Sequence, residues 1–239
     1  MRNPGRAVVF NAGMRLSHKG ILTLLAAVAF ATLAAAPSGA TIIEIGSATA
    51  PGAPSCPSNP CQAVSRTTGY QAKVGAKRQV MAAPADGKIV AWTITLGSPG
   101  KAQINYFNDN FGGAATAGIS VLKPGKKLRH KVNGHSPIQR LQPYFGTTVQ
   151  FPLDRSLTVR KGYLVALTVP SWAPALALGQ DTGTLWRASR PTSACDAPGK
   201  QSAQLGLGNQ VPYRCLYRTA RLTYSATMIT TPKPPKQKG

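Results

Sequence analysis

Apolar and polar residues alternate with a period of two along much of the chain after residue 40. In the segment 88–96, KIVAWTITL, one face carries the larger apolar residues Val90, Trp92, Ile94 and Leu96. The segment 219–228, TARLTYSATM, alternates in the same way. Such alternation is typical of a half-buried β-strand. The segment 163–169, YLVALTV, is apolar on both faces, which predicts a central strand covered on both sides.

Short strands separated by turns account for most of the remaining chain. We predict weaker strands at 41–45, 78–82, 117–122, 127–132, 147–151, 157–159 and 184–188. The segments ADGK, KPGK, NGHSP and RKG are turn signals between them. The chain has 24 glycines and 20 prolines, and no stretch after residue 40 sustains a helical period for three turns. The pattern predicts an all-β single domain over 41–229, built as a β-sandwich or jelly roll.

Four segments carry a resemblance to known proteins: CPSNPCQAVSRTTGYQAKVG, PADGKIVAWTITLGSP, LTVRKGYLVALTVPSWAPALALG and CLYRTARLTYSATM. Together they resemble a group of uncharacterised secreted proteins of high-GC Gram-positive bacteria. The resemblance spans residues 41 to about 229, and it implies export and an all-β fold but no activity. The segments DGKIVAWTI and VRKGYLVA also resemble strands of jelly-roll modules that bind carbohydrate.

The two ends of the chain differ from its middle. Four cations precede an uncharged apolar run at 21–36, and the small residues PSGA follow at 37–40. This order predicts a secretory signal peptide over 1–40, cut after Ala40, with Met14 as an alternative start. An uncleaved anchor is the alternative, although 16 apolar residues fall short of the ~20 that span a bilayer. No later stretch approaches that length, and TTPKPPKQKG at 230–239 predicts a disordered cationic tail.

All four cysteines follow the predicted signal peptide, at Cys56, Cys61, Cys195 and Cys215. An even count in an exported protein predicts disulfide bonds, and we expect the pairs Cys56–Cys61 and Cys195–Cys215. Pro57 and Pro60 favour a turn inside the first, short loop. Zinc ligands would need matched spacings, whereas these cysteines are separated by four and nineteen residues.

Positive charge is the strongest functional signal in the sequence. Four of the 28 Lys and Arg residues precede residue 40, which leaves 24 against six acids and a formal net charge of +18. The densest segment is KPGKKLRHK at 123–131. If 127–132 is a strand, its alternate cations project from one face about 7 Å apart, while Leu128, His130 and Val132 point inward. The candidate residues for binding a polyanion are Lys123, Lys126, Lys127, Arg129 and Lys131.

The sequence carries no recognisable catalytic, metal or nucleic-acid motif. The six acids are scattered, and no Gly-x-Ser-x-Gly elbow is present. The segment NYFNDNFGG at 105–113 has one carboxylate, so we predict a polar loop there rather than a calcium site. No zinc finger or RNA-binding aromatic signature occurs. We therefore predict no enzyme activity, no cofactor, no metal and no specific nucleic-acid partner.

Two hypotheses about binding remain. The first is an exported, non-enzymatic protein that associates by charge with anionic cell-wall polymers or surface glycans. The second is a carbohydrate-binding module in which Trp172, Trp186 and Tyr144 stack on sugar rings, although buried aromatics that hold loops in place would show the same pattern. Trp92 alternates with aliphatic residues and is expected in the core. A purely structural or adhesive role is a third hypothesis.

Overall fold

The computed structural model describes residues 39–196 and 201–232. The predicted signal peptide, except for Gly39 and Ala40, lies outside these residues, and so does most of the predicted tail. Within the described residues the chain has an all-β fold with two disulfide bonds, as predicted, and it also has one α-helix, which was not predicted. Cys56 is bonded to Cys61 and Cys195 to Cys215, which confirms the expected pairing.

The elements follow one another closely along the chain. The strands are β1 Ile42–Ser47, β2 Val64–Val74, β3 Lys77–Arg78, β4 Gly87–Thr95, β5 Thr116–Lys123, β6 Arg129–His135, β7 Gln139–Arg140, β8 Thr148–Val159, β9 Leu164–Ala173, β10 Leu176–Ala177, β11 Leu185–Ala188, β12 Gln210–Pro212, β13 Cys215–Arg218, β14 Arg221–Leu222 and β15 Tyr224–Thr230. The helix α1 is Lys101–Phe111, and short 3-10 turns occur at Lys126–Leu128, Gln142–Tyr144 and Thr192–Ala194.

Two antiparallel sheets form the body of the protein. The smaller has the order β1-β15-β4-β8, and the larger has the order β12-β6-β5-β9-β2-β11-β13. Eight long strands dominate them, namely β1, β2, β4, β5, β6, β8, β9 and β15. Counted consecutively along the chain, these strands follow the orders 1-8-3-6 and 2-7-4-5, which is the arrangement of a jelly roll. The two ends of the body meet, because the Thr230 N–H donates to the Thr41 carbonyl at 2.9 Å.

The hydrophobic core lies between the two sheets. Trp92 and Ile94 of β4 are fully buried, as is the run from Val165 to Leu167 of the central strand β9, as its sequence predicted. The Tyr224 hydroxyl, on the smaller sheet, donates to the Val165 carbonyl of the larger sheet at 2.9 Å and so links them. This bond satisfies a polar group that burial would otherwise penalise.

Strand β4 departs from strict alternation near its start. The pairing between β4 and β8 shifts its register between Ile89 and Ala91. As a result Ile89 and Ala91 are buried and Val90 is only half-buried, whereas the sequence pattern placed Val90 on the buried face. A β-bulge explains this, because one extra residue moves the side chains that follow to the opposite face.

The prediction that no helix follows residue 40 is wrong. Helix α1 includes most of the segment 105–113, which was predicted as a polar loop. The Gly100 N–H donates to the Gln103 side chain at 2.8 Å at its start, and Gly112, with φ 93°, ends it. Ile104, Phe107 and Phe111 have helical spacing, and Phe107 is buried against Trp172 with ring centroids 4.8 Å apart.

Several predicted strands have different bounds in the structure. The predicted strand 78–82 is reduced to β3 and an isolated bridge between Ala82 and Leu164, because Gln79 has a left-handed φ of 56°. The predicted strands 147–151 and 157–159 are one continuous strand, β8. The predicted strand 219–228 is divided into β14 and β15, which belong to different sheets, and the predicted strand 163–169 continues to Ala173 as β9. The remaining predicted strands are present within one or two residues, apart from 127–132, which belongs to the candidate site.

Candidate functional site

The five predicted polyanion-binding residues lie together on the hairpin formed by β5 and β6. Lys123, Lys126, Lys127, Arg129 and Lys131 are all exposed. Lys123 and Lys131 are direct partners in the antiparallel pairing. Side chains at such opposite positions have Cβ atoms about 5 Å apart, so the two lysine side chains leave the hairpin side by side. We call the five residues the basic hairpin.

The turn of the basic hairpin differs from the predicted strand. Lys127 and Leu128 have left-handed φ values of 54° and 59°, so β6 begins only at Arg129. Leu128, predicted to point inward, is 36% exposed. Left-handed backbone is unfavourable for residues other than glycine, at roughly 1–2 kcal/mol each. The turn therefore holds Lys127 and Leu128 in a strained conformation that the flanking pairing must stabilise.

Strand β6 is held to the body of the protein by the buried side chain of His130. His130 points inward as predicted and is buried between Tyr70 and Tyr213, with its Nε2 3.0 Å from the Tyr70 hydroxyl. The Gly125 N–H donates to Nδ1 at 3.4 Å, so the ring proton of the neutral imidazole lies on Nε2. Burial lowers the pKa of His130 to about 4, a hydrogen bond with the backbone of Arg129 opposes this in part, and the charge of Arg187 adds to the lowering more weakly. His130 is therefore neutral near pH 7.

Three acids of the described region, Glu44, Asp86 and Asp181, are held by hydroxyl and backbone donors rather than by side chains of the basic hairpin. Glu44 accepts hydrogen bonds from the Ser225 and Thr227 hydroxyls. Asp86 accepts the backbone N–H of Lys161 at 2.7 Å. Asp181 accepts the Thr184 hydroxyl and the Gly183 N–H, and these bonds, with the nearby charge of Lys73, hold the pKa of its carboxyl below the usual value. These three carboxylates are thus occupied by hydroxyl and backbone donors.

Two further turns bring cations to the same end of the sandwich. Lys73 and Arg78 are direct partners in the pairing of β2 with β3. Leu164, which begins β9, pairs with Leu122 beside the basic hairpin, so the turn before β9 adjoins that hairpin. Together with the basic hairpin, the cations of these turns form what we call the basic end: Lys73, Lys77, Arg78, Lys123, Lys126, Lys127, Arg129, Lys131, Arg160 and Lys161. A cavity of about 390 Å³ joins the turns, with Arg78, Pro124 and Gly162 in its lining.

Sequence reasoning missed the half of the basic end that lies outside the hairpin. Lys73, Lys77 and Arg78 flank one turn, and Arg160 and Lys161 lie in another. Basic residues beside turns were visible in the segments KVGAKR and VRKG. What the sequence does not contain is the pairing of distant strands that gathers these turns at one end.

The three candidate sugar-stacking residues do not form a common surface. Trp172 is fully buried, and its Nε1–H is shared between Asn108 Oδ1 and the Gly113 carbonyl, each at 3.0 Å. It holds α1 against β9, and the prediction that its ring contacts a ligand is wrong because both its ring and its N–H are used inside the protein. Trp186 is 5% exposed, with a ring centroid 4.5 Å from that of Tyr217.

Tyr144 is the exposed member of the set, at 37%. Its ring meets Phe151 edge to face, with centroids 5.3 Å apart. One partly covered tyrosine offers less stacking area than the flat aromatic platform that the carbohydrate-binding hypothesis needs. The geometry therefore gives that hypothesis little support.

Among residues 39–196 and 201–232, no three His, Cys, Asp or Glu side chains are grouped closely enough to hold a metal ion. The one helix in this part of the chain is too short to cross a membrane. Comparison of the chain with protein-family models, curated proteins and solved structures finds no match. The basic end is therefore the feature of the molecule that bears on its function.

Proposed function

We propose that the protein is an exported, non-enzymatic binding protein that attaches to anionic polymers of the cell wall or cell surface through its basic end. The observation that carries this proposal is the pairing of Lys123 with Lys131 on adjacent strands. Like charges directly opposite each other destabilise a sheet. An anion between them converts this repulsion into attraction.

The shape of the basic end favours an extended polyanion over a small anion. Arg129 and Lys131 are alternate residues of β6, so their side chains leave the same face about 7 Å apart. The β2–β3 and β8–β9 turns add cations beyond the hairpin. Successive charges along a polymer can therefore meet successive cations.

The cellular compartment limits which anionic polymers the protein can meet. Two disulfide bonds and no free cysteine among the described residues are typical of proteins that fold in an oxidising environment. With the predicted signal peptide, this supports a location outside the cytoplasm. Phosphate-bearing wall polymers and acidic glycans are the polyanions met there, and nucleic acid is not the primary one.

The proposal is tested by measuring affinity for heparin and for a purified phosphate-bearing wall polymer from 50 to 300 mM NaCl. We expect a linear fall of log K with log salt concentration, because binding releases counterions from the polymer. The double variant Lys123→Gln/Lys131→Gln should reduce the magnitude of this slope by about two.

The matched control is Lys101→Gln/Arg140→Gln, which removes the same net charge from exposed positions outside the basic end. It should leave most of the affinity unchanged. Equal losses in the two double variants would mean that net charge, and not the basic end, drives binding. Affinity that does not change with salt would contradict the proposal altogether.

A further inference from the structure

Three exposed leucines lie beside the basic hairpin. Leu128 stands in its turn and is 36% exposed. Leu205 and Leu207, which are 40% and 67% exposed, belong to the segment 205–209 just before β12. We call residues 205–209 the leucine turn. Folding normally removes aliphatic side chains from water, so three exposed leucines beside one cluster of cations indicate a surface that is covered by a partner.

The leucine turn is held against strand β6. The Val132 N–H donates to the Asn209 carbonyl and the Gly208 N–H donates to the Val132 carbonyl, each at 2.9 Å. Within the turn, the Asn209 N–H donates to the Gly206 carbonyl at 3.1 Å. Gly208 has a left-handed φ of 83°, which glycine adopts without strain. These bonds fix the backbone on both sides of Leu207, so its exposure is a feature of the folded protein.

The leucine turn also adjoins the cations of the basic hairpin. A Cβ placed on Gly208 would lie 3.7 Å from Cε of Lys131. Strand β12, which follows the turn, pairs with β6, and Nη2 of Arg129 donates to the Gln210 carbonyl at 3.1 Å. The exposed leucines and the cations therefore share one corner of the larger sheet.

An anionic lipid bilayer matches this combination better than a soluble polymer or another protein does. A soluble anionic polymer can bind the cations, but it offers no apolar layer in which the leucines can be buried. Protein interfaces are depleted of lysine, and a second copy of this chain would bring like charges together. A bilayer has anionic headgroups above an apolar layer, so cations and aliphatic side chains are satisfied at different depths.

We propose that the leucine turn and the basic hairpin dock together on an anionic lipid bilayer. Leu205 and Leu207 enter the boundary between headgroups and acyl chains, and the lysines of the hairpin bind lipid phosphates. This goes beyond the proposed function, which needs the cations alone. Both partners use the lysines but only the bilayer uses the leucines, so either proposal can fail without the other.

The test is co-sedimentation with lipid vesicles of the secreted protein, from which the predicted signal peptide has been removed. We expect binding to vesicles of equal parts phosphatidylglycerol and phosphatidylcholine, and binding weaker by about tenfold or more to phosphatidylcholine alone. Leu205→Ser/Leu207→Ser should weaken binding to the anionic vesicles about tenfold, because it removes two aliphatic side chains from the acyl boundary. The same variant should keep the wild-type affinity for heparin and its dependence on salt.

Leu207→Trp measures insertion directly. The three tryptophans of the chain, Trp92, Trp172 and Trp186, are buried at 5% exposure or less, so the introduced indole is the one most accessible to lipid. We expect lipids brominated on their acyl chains to quench its fluorescence in anionic vesicles. An absence of quenching on bound vesicles would contradict insertion.

The matched control is Tyr106→Ser, at an exposed apolar position far from the basic hairpin. Tyr106 is 58% exposed on α1, which precedes the start of β5, whereas the hairpin lies at the other end of that strand, about 23 Å away. This variant should keep the wild-type affinity for anionic vesicles. Unchanged vesicle binding in Leu205→Ser/Leu207→Ser, equal binding to phosphatidylcholine alone, or an equal loss of heparin affinity in the leucine variant would each overturn the proposal.

Discussion

The two ends of the sandwich hold positive charge in opposite ways. At the basic end, Lys123 and Lys131 face each other in water on a strained hairpin. At the other end, Arg190 is buried and bonded to a hydroxyl and a carbonyl. Solvent screens the exposed pair, so its repulsion is small and depends on salt. The buried guanidinium of Arg190 has lost that screening, so its charge depends on the fixed hydrogen-bond partners around it. An exposed cluster can therefore bind many polyanions, whereas the buried cation is held by fixed partners inside the protein.

The largest expected effect is the loss of stability when the buried Trp172 is replaced. Trp172→Ala should lower the free energy of unfolding by about 4 kcal/mol, because it removes a fully buried indole and leaves Asn108 and the Gly113 carbonyl without their donor. Urea unfolding followed by circular dichroism measures this. Tyr144→Ala, at a 37% exposed aromatic, is the control and should cost about 1 kcal/mol or less. Similar losses in the two variants would contradict the assignment of Trp172 to the core.

The next effect concerns His130, the buried residue that holds β6 of the basic end to the body of the protein. The folded pKa of His130, about 4, lies below its unfolded value near 6.5, so the unfolded chain binds the proton more readily. The stability contributed by neutral His130 is present above pH 6.5 and is lost as the pH falls toward 4. We expect a loss of about 1 to 2 kcal/mol between pH 7.5 and pH 5.

Urea unfolding at a series of pH values checks this prediction. His130→Gln keeps a hydrogen-bonding side chain that does not titrate, and His135 is present in both proteins. The difference between the two pH profiles therefore isolates His130. If the variant and the wild type show the same dependence on pH, His130 does not anchor the hairpin as described.

The smallest effect should be a gain in the free energy of unfolding rather than a loss. Lys123→Gln should stabilise the protein by about 0.3 to 0.5 kcal/mol at low salt, because it removes a like-charge pair across the sheet. The gain should shrink at 0.5 M NaCl, where screening is stronger. Arg140→Gln, on β7, is the control and should change stability little. A destabilised Lys123→Gln protein at low salt would show that the lysines are not in repulsive contact.

Local rules in the sequence predicted a large part of this structure. The disulfide pairing followed from an even cysteine count and a short proline-containing loop, and strand β9 followed from a run that is apolar on both faces. The inward position of His130 followed from alternation. Each of these features depends on neighbours in the sequence or on a covalent link.

The features that the sequence did not predict depend on contacts between residues far apart in the chain, or on a helical period within a chain dominated by strand alternation. Helix α1 was overlooked because its inward-facing apolar residues, Ile104, Phe107 and Phe111, are few and lie in a segment rich in asparagine. Arg190 gave no signal at all, because its significance comes from burial beside Ser65 and Tyr217, which are 125 and 27 residues away. No spacing rule connects such positions before the strands pair.

The hydrogen bonds between Thr41 and Thr230 have a consequence for how this body can be joined to other polypeptides. Since the chain enters and leaves at neighbouring points, the whole unit can be placed within a surface loop of a carrier protein without separating the two halves of that loop. The jelly roll can therefore be inserted into another protein as one unit, with both attachment points on the same side of it.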